Sequence, residues 1–462
     1  MVTCCFYGRL CIGPVIARGL PMKVALLHTA RTTHTQSGMR RSASRFGKLD
    51  PAAFYKSLVA SGHGAFFGVP DSLLKDLCAC ITAEAPAERH VIAANEGNAV
   101  GLACGFHMAT RAVPVVYLQN SGLGNTVNPI LSLAHRDVYR FPMLLLVGWR
   151  GDPGGKKDEP QHVAQGRLSP ECLAAMEVPF RVLGPESADV QADAAAALGE
   201  AAAHFKAHDT PFALLIKRDT FSGFKLPPTA ADKAEAATLP SREVAIEAVL
   251  GALADADVVV GTTGMPSREL FECRARAKAG HHRDFLTVGG MGHASSIAAG
   301  LALGLGPKGA AKPGTPNAAR NVVVLDGDGG ALMHLGAMPV IGGAASAGGA
   351  TALYDRLLHV VVNNGAHDSV GGQPTVGRTA SLPAIAVGAG YHVVTPAPFT
   401  DVGAAPAGIT AAVKSALAAL GNGKPVFLEV PVKKGNRADL GRPTTTPLQN
   451  KEGLMDFLAV EA

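Results

Sequence analysis

Twice along its length the chain alternates short, unbroken apolar stretches with segments of helical pattern, and few architectures other than parallel sheets covered by helices accommodate that. In the first block the apolar stretches fall at residues 65–69, 90–92, 115–119, 143–149 and 212–218. In the second they fall at 258–262, 285–288, 322–325, 359–362 and 426–430. Each is too short for a buried helix and rich in Val, Leu and Ile, which suits a strand covered on both faces. Helical patterns intervene at 51–61, 71–82, 99–108, 242–254 and 331–340. The expected fold class is therefore α/β, with two doubly wound parallel-sheet domains and no middle domain between them. Their expected spans are 49–224 and 241–450. Residues 225–240, rich in Pro, Ala and charge, read as a linker, and 451–462 as a tail. Gly/Ala-rich stretches at 306–317 and 342–351 read as loop insertions.

Composition supports two sizeable cores: of 462 residues, 47% are hydrophobic and 17% charged. No run of about eighteen apolar residues occurs, so no membrane span is expected. The formal charge of +5 is misleading. Residues 1–48 hold eight bases and no acid, and without them 34 of the 42 bases face 37 acids. The basicity belongs to this leader and does not point to a nucleic acid partner. An Arg-rich, acid-free leader is expected to be a transit peptide, with a mitochondrial location. The alternative is a plain extension on a cytoplasmic protein. The eight cysteines include no C-x-x-C pair, which argues against zinc and fits a reducing compartment.

Two strand tips carry the chemistry. The run 322–325 leads into Asp326-Gly327-Asp328-Gly329-Gly330, and the run 359–362 into Asn363-Asn364-Gly365. Open α/β sheets bind ligands at the carboxyl ends of their strands. An Asp and an Asn brought together there offer the hard oxygens that Mg²⁺ prefers. The glycines let backbone N–H groups approach a phosphate, and a helix start favours negative charge. Between Gly329 and Asn363 lie 33 residues, the excess being assigned to the second Gly/Ala-rich loop. In the first block Glu96 sits at a strand-to-helix junction. Such an acid ordinarily does no more than favour its helix dipole.

Asp328 followed by Asn363-Asn364 resembles the diphosphate signature of thiamine-diphosphate enzymes. The resemblance narrows to the phosphonopyruvate decarboxylase family through Phe67-Gly68-Val69-Pro70-Asp71-Ser72, Asn95-Glu96-Gly97-Asn98, Gln119-Asn120-Ser121-Gly122, Gly148-Trp149-Arg150-Gly151 and Asp158-Glu159-Pro160-Gln161-His162. Thr262-Thr263-Gly264-Met265, Met291-Gly292-His293 and Gly365-Ala366-His367-Asp368 extend it. It covers roughly residues 50 to 450. The sulfopyruvate decarboxylases share much of this frame, including Gly371-Gly372-Gln373-Pro374-Thr375; a carboligase of the acetolactate synthase type is a more distant alternative.

The resemblance implies thiamine diphosphate and Mg²⁺ as cofactors and phosphonopyruvate as a small-molecule substrate, decarboxylated to phosphonoacetaldehyde. Asp328, Asn364 and the backbone oxygen near Ala366 would hold the metal. Gly264, Gly327, Gly329, Gly330 and Met291 would line the coenzyme, Met291 bending it. Glu96 would bond its aminopyrimidine ring and so activate it. His293, His367 and His162 are candidates for proton transfer. Ser72, Asn120, Ser121, Arg150, Lys157 and His162 are expected at the substrate, with Arg150 or Lys157 on its phosphonate. Their loop also carries Asp152, Asp158 and Glu159, so a self-paired loop is the competing expectation. Because Glu96 and Asp328 fall in different domains, a homodimer or larger homo-oligomer is expected.

Overall fold

The computed structural model describes residues 47–308, 320–343, 353–399 and 401–459. The leader apart from its last two residues, with Cys4, Cys5 and Cys11, and most of both Gly/Ala-rich loops lie outside the described residues. The first block folds as a parallel sheet of β1 (Phe66–Gly68), β2 (His90–Ile92), β3 (Val115–Gln119), β4 (Leu144–Gly148), β5 (Phe180–Leu183) and β6 (Phe212–Ile216). Its order is β2-β1-β3-β4-β6-β5. The second block gives β7 (Val258–Gly261), β8 (Asp284–Leu286), β9 (Val322–Gly327), β10 (Leu357–Asn363), β11 (His392–Val394) and β12 (Val426–Pro431). Their order is β11-β12-β10-β9-β7-β8. Counted from β7, this is the first order again, so the two sheets share one topology.

The inner strands of each sheet are apolar on both faces because both faces are covered. In the first sheet Val115, Tyr117, Leu144, Leu146, Leu214 and Ile216 pack with Phe54, Leu58 and Ile81 on one side. On the other, Val116, Leu118, Leu145, Val147 and Leu215 pack with Ala99, Val100, Ala103 and Leu173. In the second, Val323, Leu325, Val360 and Leu428 meet Ile246, Leu270 and Ile409. Val322, Val324, Val361 and Phe427 meet Ala298, Ala302 and Leu382 on the opposite face. Alanines on the covering helices let them lie close to branched strand residues, so packing density and not side-chain size does the work.

The structure revises four local expectations. β5 and β11, both edge strands, were not anticipated. The stretch expected as a linker contains the helix Ala230–Thr238, started by a capping box in which Thr229 and Asp232 bond each other's backbone N–H. The helix expected over 331–340 is two, Asp328–Met333 and Ala337–Gly343, interrupted at His334 (φ −125°, ψ 50°). The helix expected from residue 71 begins at Lys75. Residues 71–74 are instead a turn in which the Asp71 carboxylate accepts from the N–H groups of Leu73 (2.8 Å) and Leu74 (3.1 Å). Among the described residues no helix is long and apolar enough to cross a membrane.

This topology places two clefts. Each sheet starts beside its middle, adds one strand outward, then returns to add the next on the other side. The chain therefore diverges between β1 and β3, and again between β7 and β9. Loops leaving such a pair run apart and open a crevice at the strands' carboxyl ends.

Candidate active site

The crevice of the second sheet is lined by Thr262, Thr263 and Met265 after β7, by Gly327, Asp328, Gly329 and Gly330 after β9, and by Asn364, Ala366, His367 and Asp368 after β10. Met291 joins them from the loop before the helix Ala294–Leu305. Asp328 opens the helix Asp328–Met333 and is 1% exposed. One of its oxygens faces the backbone N–H of Asn364 at 3.4 Å, and the other accepts from the Thr375 hydroxyl. Burial pushes the Asp328 carboxyl above its usual range, against those two hydrogen bonds. A buried acid of this kind, with only neutral hydrogen-bond donors touching it, is well suited to a cation.

The two adjacent asparagines divide the labour. Asn363 is structural: its amide donates to the Gly377 carbonyl and to Glu429, both at 2.6 Å, and its oxygen accepts from Gly365 N–H at 2.9 Å. Asn364 faces the crevice. Its amide donates to Asp368 at 2.6 Å, and its oxygen lies 3.1 Å from the Ala366 N–H. Asp328, Asn364 and the Ala366 backbone thus supply only hard oxygens, a donor set that fits Mg²⁺.

Gly329 leaves little room for a side chain. A Cβ on it would stand 3.3 Å from Met291 Cε and 3.4 Å from the His367 imidazole. Gly264 (φ +100°) has a backbone conformation that side chains rarely adopt. His367 is 7% exposed, and burial pushes its imidazole down to about 4, against the pull of Asp368, so it is neutral at pH 7. His293 stands apart from this lining: it is exposed and stacks on His334, with ring centroids 4.3 Å apart.

The first sheet's crevice gathers a second group. Asn95 caps the helix Glu96–Thr110 by accepting from Gly97 N–H at 2.8 Å, which fixes Glu96 at the first helical position. Glu96 is 5% exposed; its Oε2 accepts from Asn125 Nδ2 at 2.7 Å. Burial raises its carboxyl above the usual range, and the Asn125 bond only partly opposes this. Its other oxygen lies against Gly122, where a Cβ would come within 2.3 Å.

Ser72, Asn120, Ser121, Arg150 and His162 also meet near these strand ends, but mostly they serve one another. Asn120 spends its amide on the Arg150 carbonyl and Ser169 hydroxyl, both at 2.9 Å, and its oxygen on the Arg150 N–H at 3.1 Å. Ser121 donates to Gln119 at 2.7 Å. Arg150 donates through Nε (2.7 Å) and Nη2 (2.5 Å) to the two oxygens of Asp158, and through Nη1 to Ser72 at 2.9 Å. Burial would raise Asp158, but the bond from Arg150 and the Glu159 N–H more than offset that and hold it well below the usual carboxylate range. Lys217 pairs with Asp152 at 3.2 Å. The competing expectation of a self-paired loop describes Arg150, whereas Lys157 is exposed at the loop's surface. His162 is buried and neighbours Gln165 at 3.2 Å; burial lowers its imidazole.

Three residues at these tips stand in the family motifs but carried no role in the sequence reading. Asp71, fully buried, accepts from Gln119 Nε2 at 2.6 Å, and burial raises its carboxyl. Its signal was Pro-Asp-Ser directly after a strand, ordinary turn chemistry. Thr375 and Asp368 could have been found only by their contacts to Asp328 and Asn364.

Among the described residues, the crevice holding Asp328 is lined from the second block alone, and Glu96 is not on its wall. The blocks do touch elsewhere: Glu159 pairs with Arg268 (3.0 Å) and Arg442 (2.8 Å), and Gln373 donates to the Lys75 carbonyl at 3.2 Å.

Comparison with known proteins agrees with this chemistry. The family described as "Thiamine pyrophosphate enzyme, N-terminal TPP binding domain" matches residues 52–170. The chain is 33% identical over 412 residues to a phosphonopyruvate decarboxylase of Streptomyces viridochromogenes, covering 87% of this chain and 93% of that protein. It is 33% identical to another from Streptomyces hygroscopicus, covering 87% and 92%. The beta subunit of a sulfopyruvate decarboxylase from Methanothermobacter thermautotrophicus is 36% identical over 192 residues, or 42% of this chain and 82% of that subunit.

Proposed function

The chain belongs to the phosphonopyruvate decarboxylase family of thiamine-diphosphate enzymes, and from that premise we propose that it releases CO₂ from 3-phosphonopyruvate to give phosphonoacetaldehyde. The observation that carries this reading is the buried Asp328 beside Asn364, at a crevice walled by glycines and Met291. Asp328, the Asn364 amide oxygen and the Ala366 backbone would hold Mg²⁺, and the Gly327–Gly330 turn would receive the diphosphate. Bound thiamine diphosphate supplies a carbon nucleophile and an electron sink for the pair left by CO₂.

The protein's own part is to place groups and manage protons. Glu96, buried and with its carboxyl raised above the usual range, could exchange a proton with a ring nitrogen set against it. His367 is neutral beside Gly329, so its free ring nitrogen could accept a proton or a hydrogen bond there. The end of Met291 and the His367 ring both stand against Gly329. Since the Asp328 crevice lacks Glu96 within the chain, we propose a homodimer in which Glu96 of one copy completes the crevice of the other.

The test is CO₂ and aldehyde release from phosphonopyruvate, with and without thiamine diphosphate and Mg²⁺. No turnover with both present would refute the assignment. Sulfopyruvate is the second reading, favoured by the beta-subunit likeness; a higher kcat/KM for it would replace the first.

Although paired within its loop, Arg150 is a candidate for the substrate's anionic end through the guanidinium N–H groups that Asp158 and Ser72 do not use. Its guanidinium already bridges Ser72 and Asp158, so it is fixed in place before a ligand arrives. Arg150→Ala is expected to raise KM for phosphonopyruvate about tenfold or more, the effect of losing a charge-assisted hydrogen bond of ~1.5–3 kcal/mol. An unchanged KM would remove Arg150 from the substrate site and leave Lys157 to be tested the same way.

A further inference from the structure

We propose that Asp368 is a positioning residue that decides which end of the Asn364 amide faces the metal position. This rests on the reading of Asp328 and Asn364 as the cation pair. A side-chain amide has nearly the same shape either way round, yet only its oxygen can bind a hard cation. Something must therefore set its direction before the ion arrives.

Asp368 does so by being unable to donate. Its Oδ2 accepts from Asn364 Nδ2 at 2.6 Å. The same oxygen accepts from Arg242 Nη1 at 3.1 Å and from the Gly435 N–H at 2.9 Å. Reversing the Asn364 amide would set its oxygen against a carboxylate oxygen, and its NH₂ against the Ala366 N–H that now donates to it. Asp368 is itself held. Arg242 makes a bidentate pair with Glu269, at 2.7 and 3.1 Å, and all three side chains are nine-tenths or more buried. The anchor thus comes from two helices, Arg242–Leu250 and Met265–Arg276, and from the segment after β12. Arg242 and Met265, at the starts of these helices, also line the crevice.

Removing the carboxylate should do more than free the amide. With Asp368→Ala, Asn364 would face the Arg242 guanidinium and the Gly435 N–H, two donors that attract its oxygen away from the crevice. At position 364 a carboxylate has an oxygen at both ends, so its direction no longer matters.

The experiment is binding of Mn²⁺, as the probe ion, and of thiamine diphosphate to the full chain, read by electron paramagnetic resonance and calorimetry. Thermal unfolding is followed alongside. Asp368→Ala is expected to bind Mn²⁺ at least about tenfold more weakly, as loss of a ligand's supporting group usually does. Asn364→Asp combined with Asp368→Ala is expected to recover most of that loss. Wild-type affinity in Asp368→Ala would overturn the proposal. So would a double variant no tighter than the single, since the loss would then come from disrupted packing. If the wild-type chain itself fails to bind Mn²⁺ and coenzyme together, the metal-site reading falls as well, which separates the two failures.

Discussion

Glu96→Gln is expected to lower CO₂ release from phosphonopyruvate by about 10²- to 10⁴-fold, the range that a positioned acid–base group contributes. Glutamine keeps the shape, and its carbonyl can still accept from Asn125 Nδ2, so the helix start and the Gly122 contact survive. Only the exchangeable proton is lost. Thiamine diphosphate should still bind, since the diphosphate half of the site is unaltered. Wild-type turnover in this variant would end the assignment of Glu96. A second readout needs no substrate. Burial raises the Glu96 carboxyl in the folded chain, so folding favours its protonated form. That contribution is fully present below the ordinary carboxylate range and is lost as pH rises through the raised value. A neutral glutamine has no such loss. In the coenzyme-free protein, Glu96→Gln should therefore unfold at a higher temperature than wild type near neutrality, and the gap should close on acidification.

Asp328→Ala is expected to abolish metal-dependent coenzyme binding in any practical range. Losing a metal ligand should exceed the about 10- to 100-fold that loss of a supporting group costs. At coenzyme a hundred times its Kd, wild type gains about 2.7 kcal/mol of stability; a hundredfold weaker variant gains only about 0.4. Thermal shift on adding Mg²⁺ and thiamine diphosphate reads this directly, and an equal shift in both proteins would sink the metal site. The apo variant should not be less stable, because it sheds a buried acid whose burial disfavours its charge. Mixing the two inactive variants tests the assembly. If Glu96 acts across a dimer interface, a random mixture should recover about a quarter of wild-type activity, from one intact site in half the dimers. No recovery, with subunit exchange verified, would place both residues in one chain's site.

How much of this was legible beforehand follows from burial. Ten of the twelve strands stand out as apolar runs, the inner ones because both their faces are covered. β5 and β11 escaped, and they hold the same edge position in each sheet. An edge strand has one neighbour and half-exposed residues, so Phe180–Leu183 includes Arg181 and His392–Val394 begins with an exposed histidine. The helix Ala230–Thr238 was hidden for a related reason. None of its residues is buried, so no apolar stripe marks it, and only its capping box holds its start.

The site divides the same way. That Asp328, Asn364 and Glu96 stand just past strand ends, where ligands gather in such sheets, was readable from one dimension. Which of two adjacent asparagines faces the crevice was not, nor that Arg150 is tied to Asp158, nor that Asp368 and Thr375 bond Asn364 and Asp328. Strand periodicity and tip chemistry are local, and the chain order alone determined them. Side-chain direction and the sharing of charges depend on which loops the fold brings within about three ångströms, over separations such as the 126 positions from Arg242 to Asp368, and only the tertiary structure decided those.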